Sequence, residues 1–297
     1  MNTDDRYLLL PYPVCMPAFG GNVNTDDRYL LLGPLSRDRI VRRNSTEFMV
    51  GGAVYYYSRL LSHLGVDHTA VVTLSEDDRH LLREFPSKTD IIPLYRDSTV
   101  EFENIYYKGD TSRRIQRSNF ASNPIEIDDI ENIAVEDWAA VLAGPLLPSD
   151  IPLETLQFLG KRHRLYTGLQ GYLRYPHGDM VRLKFRNEIL RVLEAGSGVF
   201  LDINELRTVS GDLMGALGVL GEHCGEVIVT CGPRGSLISH KGSLIRVMAV
   251  AAERELDPTG LGDTYMAAYV HMRRISGPEA AGNFASFMAT KKLEGEI

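Results

Sequence analysis

The spacing of apolar positions divides most of the chain into short hydrophobic runs and helical stripes. Tyr29–Leu32 is a short apolar run ending at Gly33, and Glu47–Val50 is another, closed by Gly51-Gly52. Val54, Tyr57, Leu60, Leu61 and Leu64 then recur at the spacing of one helix face, which predicts a helix over Ala53–Leu64 with Gly65 just past its end. Thr69–Leu74 reads as a strand and Glu76–Glu84 as a charged helix. Val100–Lys108 alternates polar and apolar residues, as a half-exposed antiparallel strand does. Further apolar runs at Ala139–Ala143, Leu165–Gly168, Gly198–Asp202 and Glu226–Cys231 are separated by helical segments such as Met180–Leu193. Thr264–Arg274 and Glu279–Lys292 close the chain as two more helices. This alternation predicts an α/β domain with a mostly parallel sheet covered on both faces, and leaves early antiparallel strands for a small second layer.

A literal repeat interrupts the pattern. Asn2–Leu10 and Asn24–Leu32 both read NTDDRYLLL, separated by an aperiodic stretch rich in Pro and Gly. Only the second copy leads into GPLSRD, so it is assigned the first core strand. Residues 1–28 are then an extension ahead of a domain over residues 29–297, since termini tolerate such additions.

Charge and cysteine content narrow the function classes. A formal net charge of −7 argues against broad binding to a nucleic-acid backbone. The basic stretch Lys161-Arg162-His163-Arg164 and the series Arg182, Lys184, Arg186, Arg191 are read as solvated helix faces. Cys15, Cys224 and Cys231 are too few and odd in number for a disulfide framework, and with His223 they lack the paired spacing of a zinc site. No apolar run reaches the roughly 18–20 residues that span a bilayer. The expectation is a cytoplasmic protein with neither membrane nor nucleic acid as partner.

The sharpest chemical signal is Asp257-Pro258-Thr259-Gly260-Leu261-Gly262-Asp263, running directly into a helix. Its glycines allow a tight turn and close approach of a ligand, and the helix start offers unpaired amides and the positive end of its dipole. Together these suit an anion, with the Asp263 carboxylate beside it to accept a proton. Read alone, the same residues also serve as a turn and a helix cap.

DPTGLGD resembles the D-[PT]-x-G-A-G-D signature of the ribokinase-like (PfkB) kinases. That resemblance implies Asp263 as catalytic base and an anion hole at Gly260, Leu261 and Gly262, with Leu261 in place of the usual Ala. Gly33 to Asp38 resembles the family's first-strand motif, whose Asp binds acceptor hydroxyls, with Ser36 where Asn is common. Gly51-Gly52 resembles the di-glycine beside the lid hinge and substrate. Thr230, Gly232 and Gly235 resemble the T-x-G-x-x-G loop at the ATP phosphates, and Asn283 with Ala285 falls in the helix that flanks adenine. The family's N-x-x-E, linked to magnesium, is altered here. Either Asp202 replaces the Asn and Glu205 is kept, which preserves the carboxylate and is preferred, or Asn204 is kept and Arg207 replaces the Glu.

The resemblance spans residues 29–292 and implies a three-layer α/β/α sandwich with a small β-lid from the early strands, about 33–50 and 90–116. It implies an ATP-dependent kinase acting on a hydroxyl of a small sugar or cyclitol, with Mg2+ and room for a monovalent cation, and admits a homodimer through the lid. The alternatives are a nucleoside kinase, or a sugar-binding or regulatory member without turnover. Tyr55 or Tyr56 is a candidate for the acceptor pocket, Tyr57 for the core, Gln170, Gly171 and Arg174 for a place near the acceptor, and Arg113 and Arg114 for an exposed turn or a phosphate contact.

Overall fold

The computed structural model describes residues 27–42, 45–107 and 110–297, without the side chains of 106, 107 and 110–114. The first nonapeptide copy, Cys15 and nearly all of the expected extension lie outside the described residues, as do the side chains of Arg113 and Arg114. Asp27 and Arg28, assigned to that extension, are tied to the domain instead. Asp27 pairs with Arg274, and Arg28 pairs with Glu136 and lies over the Trp138 ring.

Among the described residues, nine strands form one sheet, in the spatial order Ser243–Val247, Ser236–His240, Glu226–Thr230, Gly198–Asp202, Leu165–Gly168, Ala140–Ala143, Tyr29–Pro34, His68–Ser75 and Asp90–Arg96. Neighbours are parallel from Glu226–Thr230 onward, and the first two strands form an antiparallel edge. The Tyr29–Pro34 run lies well inside the sheet and is buried throughout, so alternate residues feed two cores. Tyr29 and Leu31 pack with the helices Ala53–His63, Leu261–Arg273 and Pro278–Leu293. Leu30 and Leu32 pack on the other face with Leu153–Gly160, Ile189–Glu194 and Leu213–Gly221. The result is the expected three-layer α/β/α sandwich.

A second sheet, of six strands among the described residues, is the lid, ordered Arg174–His177, Met180–Leu183, Asp110–Ser118, Val100–Tyr107, Ser36–Arg42 and Ser45–Gly51. It differs from the sequence expectation in two places. Asp90–Arg96 pairs with His68–Ser75 as the outer parallel strand of the large sheet, an edge that accommodates Pro93. The Met180–Leu193 segment divides, its first part being a lid strand paired with Arg174–His177 and only Ile189–Glu194 being helix. Val100, Phe102, Ala121, Leu146 and Leu147 form a small apolar core where the lid meets the sandwich. No helix among the described residues is long and apolar enough to cross a membrane.

Candidate active site

A cavity of about 660 Å³ lies between the lid and the carboxyl ends of the parallel strands, the usual place for ligands in an open α/β sheet. Its wall includes the whole run from Pro258 to Asp263, together with Ser36, Asp38, Gly52, Asp202, Glu205, Thr230 and Gly232. A larger cleft of about 930 Å³ opens elsewhere along the lid, but its charged lining is largely paired (Arg37 with Glu101, Arg39 with Glu103) and Asp263 is absent from it.

The glycine turn is held from behind. Asp257 Oδ1 accepts from the Thr259 amide at 3.0 Å, while Lys292 Nζ donates to Asp257 Oδ2 at 2.8 Å and to the Asp257 carbonyl at 3.0 Å. Gly260 follows at φ 72°, a conformation that favours glycine, and Leu261–Arg273 begins at once. The Thr264 amide closes the first turn on the Gly260 carbonyl at 2.8 Å. The amides of Leu261, Gly262 and Asp263 come before that bond and have no helical partner. A β-carbon added at Gly262 would meet nothing within 4 Å, so this stretch of backbone faces open space in the cavity wall. Unpaired amides at the start of a helix are the kind of backbone arrangement that suits an anion.

Asp263 keeps part of its surface open to the cavity while protein surrounds it on every other side. Burial pushes its carboxyl up to about 7, and the Arg174 guanidinium pulls in the opposite direction. A carboxylate balanced near neutrality suits proton abstraction from an alcohol.

The opposite wall comes from the lid. Along Ser36–Arg42 the side chains alternate, with Ser36, Asp38 and Ile40 facing the cavity and Arg37 and Arg39 outside it. Ser36 Oγ donates to Asp38 Oδ1 at 2.7 Å. The Asp38 carboxylate lies so close to Gly51 that a β-carbon there would stand 2.7 Å from Oδ2 and 2.5 Å from Ser36 Oγ. The di-glycine thus makes room for the acidic group. Two lid residues that sequence reasoning missed, Asn104 and Gln116, sit opposite each other on paired strands, and Gln116 Nε2 donates to Asn104 Oδ1 at 2.9 Å. Both line the cavity, Asn104 through the inward phase of the Val100–Tyr107 alternation and Gln116 from the strand paired with it. Tyr56 lines it as well, and burial together with the charges of Asp38 and Asp263 raises its phenol, keeping it a proton donor in hydrogen bonds. Tyr55 lines the larger cleft and Tyr57 is core.

A polar chain runs along the third wall. Arg174, 4% exposed, donates through Nη1 to the Leu146 carbonyl at 3.0 Å and through Nη2 to Gln170 Oε1 at 2.8 Å, with its guanidinium over the Phe102 ring. Gln170 Nε2 donates to Glu205 Oε1 at 2.7 Å, and Glu205 Oε2 accepts from the Asp202 amide at 2.8 Å. Asp202 Oδ1 accepts in turn from the Asn204 and Glu205 amides. Burial and the neighbouring Asp202 carboxylate raise the Glu205 carboxyl. Asn204 also lines the cavity, whereas Arg207 is exposed and outside it.

The four residues expected at the nucleotide separate. Thr230 and Gly232 line the cavity. Gly235 is turned onto the Val247–Ala249 backbone, its carbonyl accepting from the Cys231 amide at 2.7 Å. Asn283 is half-buried on the Pro278–Leu293 helix and is not part of the cavity wall, and Ala285 is fully buried in the core.

The sequence matches the pfkB family carbohydrate kinase profile over residues 32–289. The chain belongs to that family. Its fold is shared with solved ribokinase-family structures. A pyrophosphate-dependent kinase in the ribokinase family, solved with sulfate, superposes with a TM-score of 0.77 at 22% identity, covering 90% of this chain and 95% of the other. Arabidopsis thaliana ribokinase, solved with ribose and ATP, gives 0.70 at 15% identity, covering 90% and 92%. A nucleoside kinase of Methanocaldococcus jannaschii is 30% identical over 82 residues, which is 28% of this chain and 27% of that relative's length. As a member of this family the chain is classed among the phosphotransferases.

Proposed function

We propose that the chain transfers a phosphoryl group to a hydroxyl of a small polyol, a sugar or cyclitol, with Asp263 as general base. The observation that carries this reading is the meeting of Asp38, Asp263 and the open Leu261–Asp263 amides in one cavity. An acceptor hydroxyl held by Asp38, the Asn104–Gln116 amide pair and Tyr56 would lose its proton to Asp263, while the amides at the helix start and Thr230 with Gly232 hold the donor phosphates. The lid would keep water out of the transfer.

ATP with Mg2+ is the donor the family resemblance implies, and the phosphate end of the cavity fits it. No cluster of three carboxylate, His or Cys side chains capable of holding a metal occurs among the described residues. Mg2+ needs none, because it keeps several waters and binds through one or two carboxylates plus substrate phosphates. Glu205 and Asp202 would be those carboxylates. The ion would neutralise charge on the transferring phosphates.

One observation favours a second reading of the donor. The expected adenine flank, Asn283, lies outside this cavity wall, and the donor side of the wall offers the contacts read for phosphates, Thr230 and Gly232. Inorganic pyrophosphate would satisfy it, and pyrophosphate-dependent kinases of the ribokinase family, one of them solved with a pyrophosphate analogue and myo-inositol, share the fold. Phosphate transfer assayed with ATP and with pyrophosphate, across sugars, cyclitols and nucleosides, separates these readings from each other. It also separates them from a member that binds sugar without turnover, a reading in which the poised carboxyl of Asp263 would have no use.

Two further elements belong to the proposal. The kinase domain is taken to span residues 29–297, with the segment before it an extension, so removal of residues 1–26 should leave turnover intact. A homodimer would form through the lid, whose outermost strand exposes Phe48 at 77%. Sedimentation of the wild type and Phe48→Glu tests that arrangement.

A further inference from the structure

Lys292 is a buried cation in a place that demands explanation. It lies in the last turn of the Pro278–Leu293 helix and is 4% exposed, although lysine is rarely buried without a partner. Its ammonium meets Asp257 twice, at Oδ2 (2.8 Å) and at the carbonyl (3.0 Å), and lies 5.6 Å from the centre of the Tyr56 ring. Asp257 opens the anion turn, and its other carboxylate oxygen holds the Thr259 amide at 3.0 Å. Tyr56 packs against Gly260 at the far end of that turn. One ammonium therefore touches both supports of the loop whose amides face the donor site. Burial alone would raise the Asp257 carboxyl, and the hydrogen bonds from Lys292 and Thr259 outweigh it and hold the group low, so it stays charged.

The family resemblance left room for a monovalent cation near the site. Such an ion needs oxygen ligands, a carboxylate and carbonyls, and the oxygens at the root of the anion loop are the two that Lys292 already occupies. The residues present do not fit an exchangeable ion there. We infer that Lys292 is an internal, covalently attached cation that positions the Asp257–Gly262 anion loop, so that phosphate-donor binding and turnover need no added potassium. Lys292 acts through Asp257 and is a positioning residue.

The test compares wild type, Lys292→Met and Lys292→Arg in choline chloride, KCl and methylammonium chloride at matched ionic strength. Pyrophosphate affinity is read by calorimetry, melting temperature by thermal scan, and donor and acceptor KM by kinetics. Wild type should change by less than about twofold between choline and potassium once ionic strength is matched. Lys292→Met should lose about 10- to 100-fold in pyrophosphate affinity and in kcat/KM for the donor, as displacement of a positioned group does, with acceptor KM little changed. Methylammonium should restore part of the loss, and Lys292→Arg should keep most of the function. Activation of wild type by potassium about tenfold over choline, or a rise of its melting temperature with potassium alone, would overturn the inference. So would wild-type pyrophosphate affinity in Lys292→Met. Should Lys292→Met fail to fold, the wild-type cation series and Lys292→Arg still decide. The kinetic arm rests on the kinase reading, while the binding and melting arms do not, so a chain without turnover would sink that reading and leave this one decidable.

Discussion

The Tyr56 ring occupies the space where a β-carbon on Gly260 would stand, 2.3 Å from its Cγ and Cδ1 atoms. Gly260 also sits at φ 72°, so two independent constraints select glycine at the mouth of the helix. Gly260→Ala must strain the backbone and displace an aromatic ring that lines the cavity beside the Leu261–Asp263 amides. The expected result is a loss of about 1–3 kcal/mol of stability, read by urea unfolding, with donor KM rising more than acceptor KM.

Asp263→Asn should lower turnover by about 10²–10⁴-fold, the range for a general base, while leaving donor affinity largely intact. It should also stabilise the fold. Because the folded carboxyl lies near 7, above its unfolded value of about 3.9, the protonated folded form is favoured. The stability this brings is complete below the unfolded value and is lost as pH rises through about 7. Asparagine has no charge to bury, so the variant's advantage should grow between about pH 4 and about pH 7 and then level. Allowing for the side of the carboxyl open to the cavity, it should reach about 1–3 kcal/mol at pH 8.5 by urea unfolding.

The pH–rate profile follows from the same group. With Asp263 as the proposed base, the ionised form would be the active one, so kcat/KM should fall with unit slope as pH drops through about 7. Arg174 pulls that value down, and Arg174→Gln should move the acidic limb to higher pH. An unmoved limb would remove Arg174 from the electrostatics of the base.

Much of this site was legible in the sequence, and the reasons differ by residue. The turn around Gly260 and the helix start at Leu261 are local, set by a few consecutive residues, and DPTGLGD carries them whole. The inward phase of Val100–Tyr107 was visible as alternation, which pointed to a half-exposed strand without saying that Asn104 would meet Gln116 across a ladder. Of the lid hairpin over residues 174–183, only the second strand, Met180–Leu183, reads as helix in the sequence, because Met180, Val181 and Leu183 look like the start of the stripe completed by Ile189, Val192 and Leu193. The turn signal lay just before it, at Pro176-His177-Gly178-Asp179, where Gly178 adopts φ 64°. Lys292 could not be found locally at all. At the end of a helix it reads as a dipole-compensating surface charge, and only tertiary packing places it on Asp257.

The two carboxylate walls should separate in steady-state kinetics. Asp38→Ala removes the proposed acceptor contact and should raise acceptor KM about tenfold or more with donor KM nearly unchanged, the pattern of lost ground-state binding when kcat is retained. Glu205→Ala should instead raise the Mg2+ concentration needed for half-maximal rate. It also breaks the bond to the Asp202 amide, so the comparison belongs with a melting curve that shows the fold intact.

The decisive measurement is phosphorus NMR of purified chain mixed with Mg2+, a panel of sugars, cyclitols and nucleosides, and either ATP or pyrophosphate, with Asp263→Asn run in parallel. With wild type a new phosphomonoester resonance should appear on a sugar or cyclitol, and none should appear over the same time with the variant. Equal product from both proteins would remove Asp263 from the chemistry, and calorimetric sugar binding with no phosphomonoester from either donor would contradict the kinase reading itself.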